Sequence, residues 1–136
     1  MVELLIGKKG TGKTKALIDK VNTALTVANG NVVYISNSDE NIFAVNSKAR
    51  MANTSDFDIK SYGEFLGFIS GIVSRDYDIT NIFVDGTFKI VGTTNLDGFE
   101  EFLGRLESMS NKFHISFVLS VSIDADTAPE YIKKLS

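Results

Sequence analysis

A chain of 136 residues with 43% hydrophobic and 23% charged residues, one Pro and eleven Gly has the make-up of one ordinary globular domain over residues 1–136, which excludes disordered and collagen-like chains. It contains no Cys, so disulfides, thiolate metal sites and Cys-based redox chemistry are excluded. The net charge of −3, with acids and bases interspersed, argues against a nucleic-acid partner, although Lys8, Lys9, Lys13 and Lys15 crowd one short segment.

In chain order, Val2 to Ile6 is a nearly continuous apolar run, as expected of a strand covered on both faces in a parallel sheet. A helix is predicted from Lys13 to about Ala28, with Ala16, Leu17, Val21, Ala24, Leu25 and Ala28 on one stripe. Asn29-Gly30-Asn31 stops it, and Val32 to Ile35 is a second strand leading into polar Ser36 to Glu40. Ile42 to Val45 reads as a short strand or a helical turn, and Phe57 to Ile59 as a short strand. Residues 61 to 75 are predicted helical, with Gly63, Gly67 and Gly71 along one face. Close packing of that face on the sheet is the preferred reading, a partner surface the alternative.

Asn81 to Asp85 is a third strand, apolar until it ends in a carboxylate, and Phe88 to Asn95 is ambiguous. Asp97 is placed to cap a helix running to about Ser110, burying Phe99, Phe102, Leu103 and Leu106. His114 to Val121 is a fourth strand, and Ala128 to Leu135 a short helix with Pro129 in its first turn. Strands alternating with helices predict an α/β three-layer sandwich with a mostly parallel sheet. The longest apolar-rich run, Phe65 to Val73, is about half of what a membrane-spanning helix requires, and Met1-Val2-Glu3 does not open a secretory leader, so a cytoplasmic location with no membrane partner is expected.

The segment Gly7-Lys8-Lys9-Gly10-Thr11-Gly12-Lys13-Thr14 fits G-x-x-x-x-G-K-[ST], and it follows a strand and opens a helix. Its glycines allow successive N–H groups to turn inward as an anion nest, and the helix N-terminus adds partial positive charge. Lys13 offers an ammonium to the β and γ phosphates of a nucleoside triphosphate, and the Thr14 hydroxyl is a hard ligand for Mg²⁺.

This segment resembles the Walker A motif of P-loop NTPases, and Ile82-Phe83-Val84-Asp85 resembles their Walker B strand. The resemblance implies the P-loop NTPase fold in minimal form over most of the chain, and it assigns Asp85 to Mg²⁺. The chain also resembles the small stand-alone bacterial ATP-binding proteins sometimes labelled twitching-motility proteins, but it is too short for the extra domain of a pilus-retraction motor. Many ATPases of this superfamily place Glu after the Walker B Asp to polarise the attacking water, whereas here that position is Gly86. RecA-like members take the base from the end of a neighbouring strand, which makes Asp39 and Glu40 the leading substitutes.

Ser120 and Ser122 could sense the γ phosphate if their strand lies between the two motif strands. Arg50, Arg75 and Arg105 are candidate arginine fingers, and the lone His114 is structural. Lys8 and Lys9 either add charge beside the triphosphate or point to water; in some relatives such a lysine engages a partner's nucleotide, so a homodimer is one expectation. The first functional reading is therefore a Mg²⁺-dependent binder of ATP, or another nucleoside triphosphate, with slow hydrolysis. The guanine-reading Asn/Thr-Lys-x-Asp signature is absent, which favours ATP. Alternatives are a non-catalytic nucleotide-binding module acting through a partner protein and, third, a small-molecule kinase.

Overall fold

The computed structural model describes residues 1–136. Strands β1 (Val2–Gly7), β2 (Asn31–Ser36), β3 (Arg50–Asn53), β4 (Ile79–Val84) and β5 (Ser116–Ser122) form one sheet in the order β1-β5-β4-β2-β3. Every neighbouring pair is parallel. Parallel neighbours need long crossovers. Helices α1 (Lys13–Val27), α2 (Tyr62–Ser74), α3 (Thr87–Val91) and α4 (Phe99–Phe113) supply most of them, and α5 (Glu130–Lys133) comes last. The link from β2 to β3 is built of turns instead.

Successive strand residues point to opposite faces of the sheet, which sorts the apolar runs into two layers. Val33 and Ile35 of β2, Ile82 and Val84 of β4, and Phe117 and Leu119 of β5 enter a cluster of 24 buried residues beneath α2, α3 and α4. Their alternates Val32, Tyr34, Phe83 and Val118 face α1, where Leu17, Ile18 and Val21 complete a cluster of 9. The larger layer is aromatic: Tyr62 lies 5.3 Å from Phe99 and Phe65 lies 5.8 Å from Phe102, ring centre to ring centre. Truncating a buried Phe here costs about 3–5 kcal/mol.

Local chemistry sets the ends of these elements. Ser61 caps α2 by accepting from the Glu64 N–H at 3.0 Å, while Glu64 Oε1 accepts from the Lys60 N–H at 2.8 Å. At the β1 edge of the sheet, the Leu4 N–H donates to the Leu135 carbonyl at 2.9 Å, so the C-terminal segment covers backbone that would otherwise be unpaired.

Several expectations need correction. The strand before α2 is Arg50–Asn53, not Phe57 to Ile59, which forms turns. Of the two readings of Ile42 to Val45 the helical turn holds and the strand does not, the Val45 N–H donating to the Asn41 carbonyl at 3.2 Å. The mixed residues Arg-Met-Ala-Asn suffice because β3 is an edge strand and needs no apolar run on both faces. Asp97 does not cap α4: Gly98, with φ 87°, holds that place. That helix runs to Phe113, and His114 ends it in a left-handed conformation (φ 57°), so β5 starts at Ser116. In the ambiguous stretch, Thr87–Val91 form α3 and Gly92 closes it. The glycine face of α2 does not pack on the sheet. Gly63, Gly67 and Gly71 are exposed, and a methyl group added at Gly67 or Gly71 would touch nothing within 4 Å.

Candidate functional site

In a parallel sheet the carboxyl ends of the strands lie on one side, and here β1, β4 and β5 deliver the motif residues to a common cleft. Beyond β1, the chain turns through Gly7 to Gly12 into α1. Gly12 occupies the left-handed region (φ 88°) at the N-cap, a conformation that costs an L-residue about 1–2 kcal/mol. The loop then leads straight into the first turn of α1, whose N–H groups have no partners within the helix.

The resulting cleft, of about 240 Å³, is lined by polar residues and glycines, among them Lys9, Gly10, Gly12, Lys13, Thr14, Asp85, Lys89 and Ser120. The Lys13 ammonium lies over the loop, donating to the carbonyls of Gly7 (3.0 Å) and Lys8 (2.8 Å). Its pKa is lowered, chiefly by partial burial; Asp85 opposes the shift and Lys89 adds to it. The Thr11 hydroxyl fixes the loop by donating to the Lys8 carbonyl at 2.7 Å.

Asp85 is the hub of the cleft. Its Oδ1 accepts from the hydroxyls of Thr14 and Ser120, each at 3.2 Å, and its Oδ2 accepts from the Tyr34 hydroxyl at 2.6 Å. Ser120 Oγ in turn accepts from the Gly86 N–H at 2.7 Å, so one β5 hydroxyl fixes both the carboxylate and the turn after it. This arrangement requires β5 to lie between β1 and β4, as it does. Burial, and then the hydrogen bond to Asp85, raise the pKa of the Tyr34 hydroxyl and keep it a donor. Tyr34 had looked like one more strand residue. Its role at the site depends on the strand order.

The remaining candidates are split. Lys9 lines the cleft, whereas the Lys8 ammonium pairs with Asp124 at 3.5 Å, next to the segment that follows β5. Glu40 lines a smaller adjoining cleft of about 160 Å³ together with Thr14 and Asp85. Asp39 instead accepts from the Asn53 side chain at 3.0 Å and does not line that cleft. None of the three arginines lines the phosphate cleft. Arg50 opens β3 at the opposite end of the sheet and pairs with Asp76 at 2.7 Å; Arg75 follows the last turn of α2; Arg105 pairs with Glu101 at 3.5 Å on α4. His114 is the α4 terminator, a structural place.

Lys89, on α3, was missed by the sequence reading. It lies one helical turn past Gly86 and borders the phosphate cleft, the Glu40 cleft and a third of about 540 Å³. No cluster of three or more His, Cys, Asp or Glu residues is present to hold a metal. A hydroxyl and a single carboxylate, as at Thr14 and Asp85, suit Mg²⁺, which keeps several waters and takes phosphate oxygens. No helix is long and apolar enough to cross a membrane.

No protein-family model matches the chain, and no curated protein matches its sequence. Among solved structures it is similar to a KaiC-like protein from the hyperthermophilic archaeon Pyrococcus horikoshii OT3, with a TM-score of 0.67 and 15% identity. The match covers 98% of this chain and 67% of that one. The chain, with its all-parallel five-stranded sheet, therefore shares the α/β fold of that KaiC-like protein.

Proposed function

We propose that this protein binds a Mg²⁺–nucleoside triphosphate, with ATP as the favoured ligand, and hydrolyses it slowly. The observation that carries this reading is the convergence of the glycine loop, the Lys13 ammonium and the Thr14–Asp85 pair on one polar cleft. Loop N–H groups and the start of α1 would hold the phosphates of the ligand, and Lys13 would exchange its loop carbonyls for phosphate oxygens. Thr14 and Asp85 would hold Mg²⁺, which neutralises charge on the β and γ phosphates. Ser120 and Tyr34 orient the Asp85 carboxylate for that task.

Slow turnover follows from the residue that comes after Asp85. Gly86 offers no carboxylate, and the acid bordering the Thr14–Asp85 region is Glu40, carried on a turn rather than on a strand. No arginine is at hand in cis to offset charge as the phosphoryl group is transferred. P-loop enzymes without an arginine finger turn over on the order of 10⁻³ s⁻¹ or below. A rate in that range, lost in Lys13→Ala and reduced about tenfold or more in Glu40→Gln, is expected from a phosphate-release assay with Mg-ATP. Tight binding with no phosphate released over hours would remove the hydrolase reading and leave the second one, a binding module that signals nucleotide state to a partner protein. Gly86 favours that alternative as well. A small-molecule kinase is the weakest fit, since its lid and acceptor pocket usually use arginines and these three lie elsewhere.

A further inference from the structure

We propose that Lys89 is a γ-phosphate-binding residue supplied in cis, by which the site tells a triphosphate from a diphosphate. The inference rests on the nucleotide-binding reading above and adds to it a residue outside both sequence motifs. The backbone at Gly86 is left-handed, with φ 76°. A Cβ built there would lie 3.5 Å from Lys89 Cδ and 3.7 Å from its Cβ, so the lysine stem crosses directly over the glycine. A Cβ at position 86 would sit in ordinary van der Waals contact with that stem.

Position and charge then point to one phosphate. Thr14 and Asp85 mark the side of the cleft where Mg²⁺ would be held and would neutralise phosphate charge, and Lys89 borders both clefts that contain this pair. Lys8 is tied to Asp124 and Lys15 to Asp19, whereas no carboxylate lies within ion-pair distance of Lys89. The phosphate cleft thus gathers three ammonium groups, from Lys9, Lys13 and Lys89, around the single carboxylate of Asp85. Lys13 serves the β and γ phosphates from the loop, and Lys89, on α3 and without a carboxylate partner, adds an ammonium for the γ phosphate.

The test is to titrate wild type, Lys89→Met, Lys89→Arg and Lys13→Ala with Mg-ATP and with Mg-ADP. Lys89 is exposed, so its replacement should leave the fold intact, and thermal unfolding of each variant checks this. The expected result is that Lys89→Met weakens Mg-ATP binding about tenfold, changes Mg-ADP binding less than twofold, and regains ATP preference as Lys89→Arg. Equal weakening for both nucleotides, or none for either, would overturn the role of Lys89 while leaving nucleotide binding intact. Failure of the wild type to bind either nucleotide, or undiminished binding by Lys13→Ala, would overturn the underlying reading and this inference with it.

Discussion

Two sets of glycines occupy this chain, and they differ in everything but composition. Gly10 and Gly12 sit in a loop with φ of 83° and 88°, where an L-residue is strained whatever space surrounds it. Gly67 and Gly71 sit inside a regular helix, on its exposed face, where a methyl group would meet nothing. The first set shapes the backbone around a polar cleft. The second set leaves α2 less favoured as a helix with no packing gain in return. Spacing alone had suggested that the helical set was needed for close approach to the sheet, and that reading failed because the face carrying it points outward. A glycine is informative only once its backbone angle and its neighbours are known.

Substitution by alanine should separate the classes, and Gly30 gives the upper limit. A Cβ there would lie 2.1 Å from the Asp78 carbonyl oxygen, which accepts from the Asn31 N–H. Backbone must move, and Gly30→Ala should destabilise by about 3 kcal/mol, at the upper end of overpacking effects, as read by urea unfolding. Gly12→Ala should cost less stability, about 1–2 kcal/mol, but abolish measurable Mg-ATP binding because the first turn of α1 would be re-aimed. Gly67→Ala and Gly71→Ala should each stabilise by about 0.5–1 kcal/mol and leave nucleotide binding unchanged. Destabilisation by either helical variant would mean that α2 packs against something through this face.

A pH titration sharpens the same contrast through Lys13. Its pKa lies below the ordinary lysine value of 10.5, with burial as the first cause, so the ammonium is lost at a lower pH than for an exposed lysine. Mg-ATP affinity should therefore fall as pH rises into the alkaline range below 10.5. In Lys89→Met, which removes one of the two influences lowering that pKa, the fall should move to higher pH. An unchanged midpoint would show that the two ammonium groups do not sense each other.

How much of this could be read from the sequence varied with burial. Strands β2, β4 and β5 were legible because strands covered on both faces need apolar runs, as at Val32 to Ile35 or Ile82 to Val84. Strand β1, although at a sheet edge, was legible from Val2, Leu4, Leu5 and Ile6 around the single Glu3. Strand β3 was not, since at the sheet edge Arg50 to Asn53 are held by pairing with β2 rather than by burial of both faces. The end of α4 was misplaced because a left-handed His114 is a weak signal beside the usual Gly. At the site, the local motif from Gly7 to Thr14 needed only adjacent residues and their flanks. Pairing Thr14 with Asp85 across the sheet was carried by the resemblance, and the structure brings the two within hydrogen-bond distance. Tyr34 reaches Asp85 from β2 and Lys89 reaches the cleft from α3, so no spacing rule announces them. A lysine three residues beyond the strand-ending Asp85-Gly86 was the available clue for Lys89.

The central claim is that the loop from Gly7 to Thr14 binds the phosphates of a Mg²⁺–nucleoside triphosphate. Equilibrium titration of Mg-ATP into wild type and Lys13→Ala, with matched circular dichroism spectra, tests it most directly. The account predicts saturable one-to-one binding by the wild type and affinity reduced about 100-fold or more in Lys13→Ala, the scale of losing a charge-assisted phosphate contact inside a preformed cleft. Equal affinity in the two proteins would contradict it.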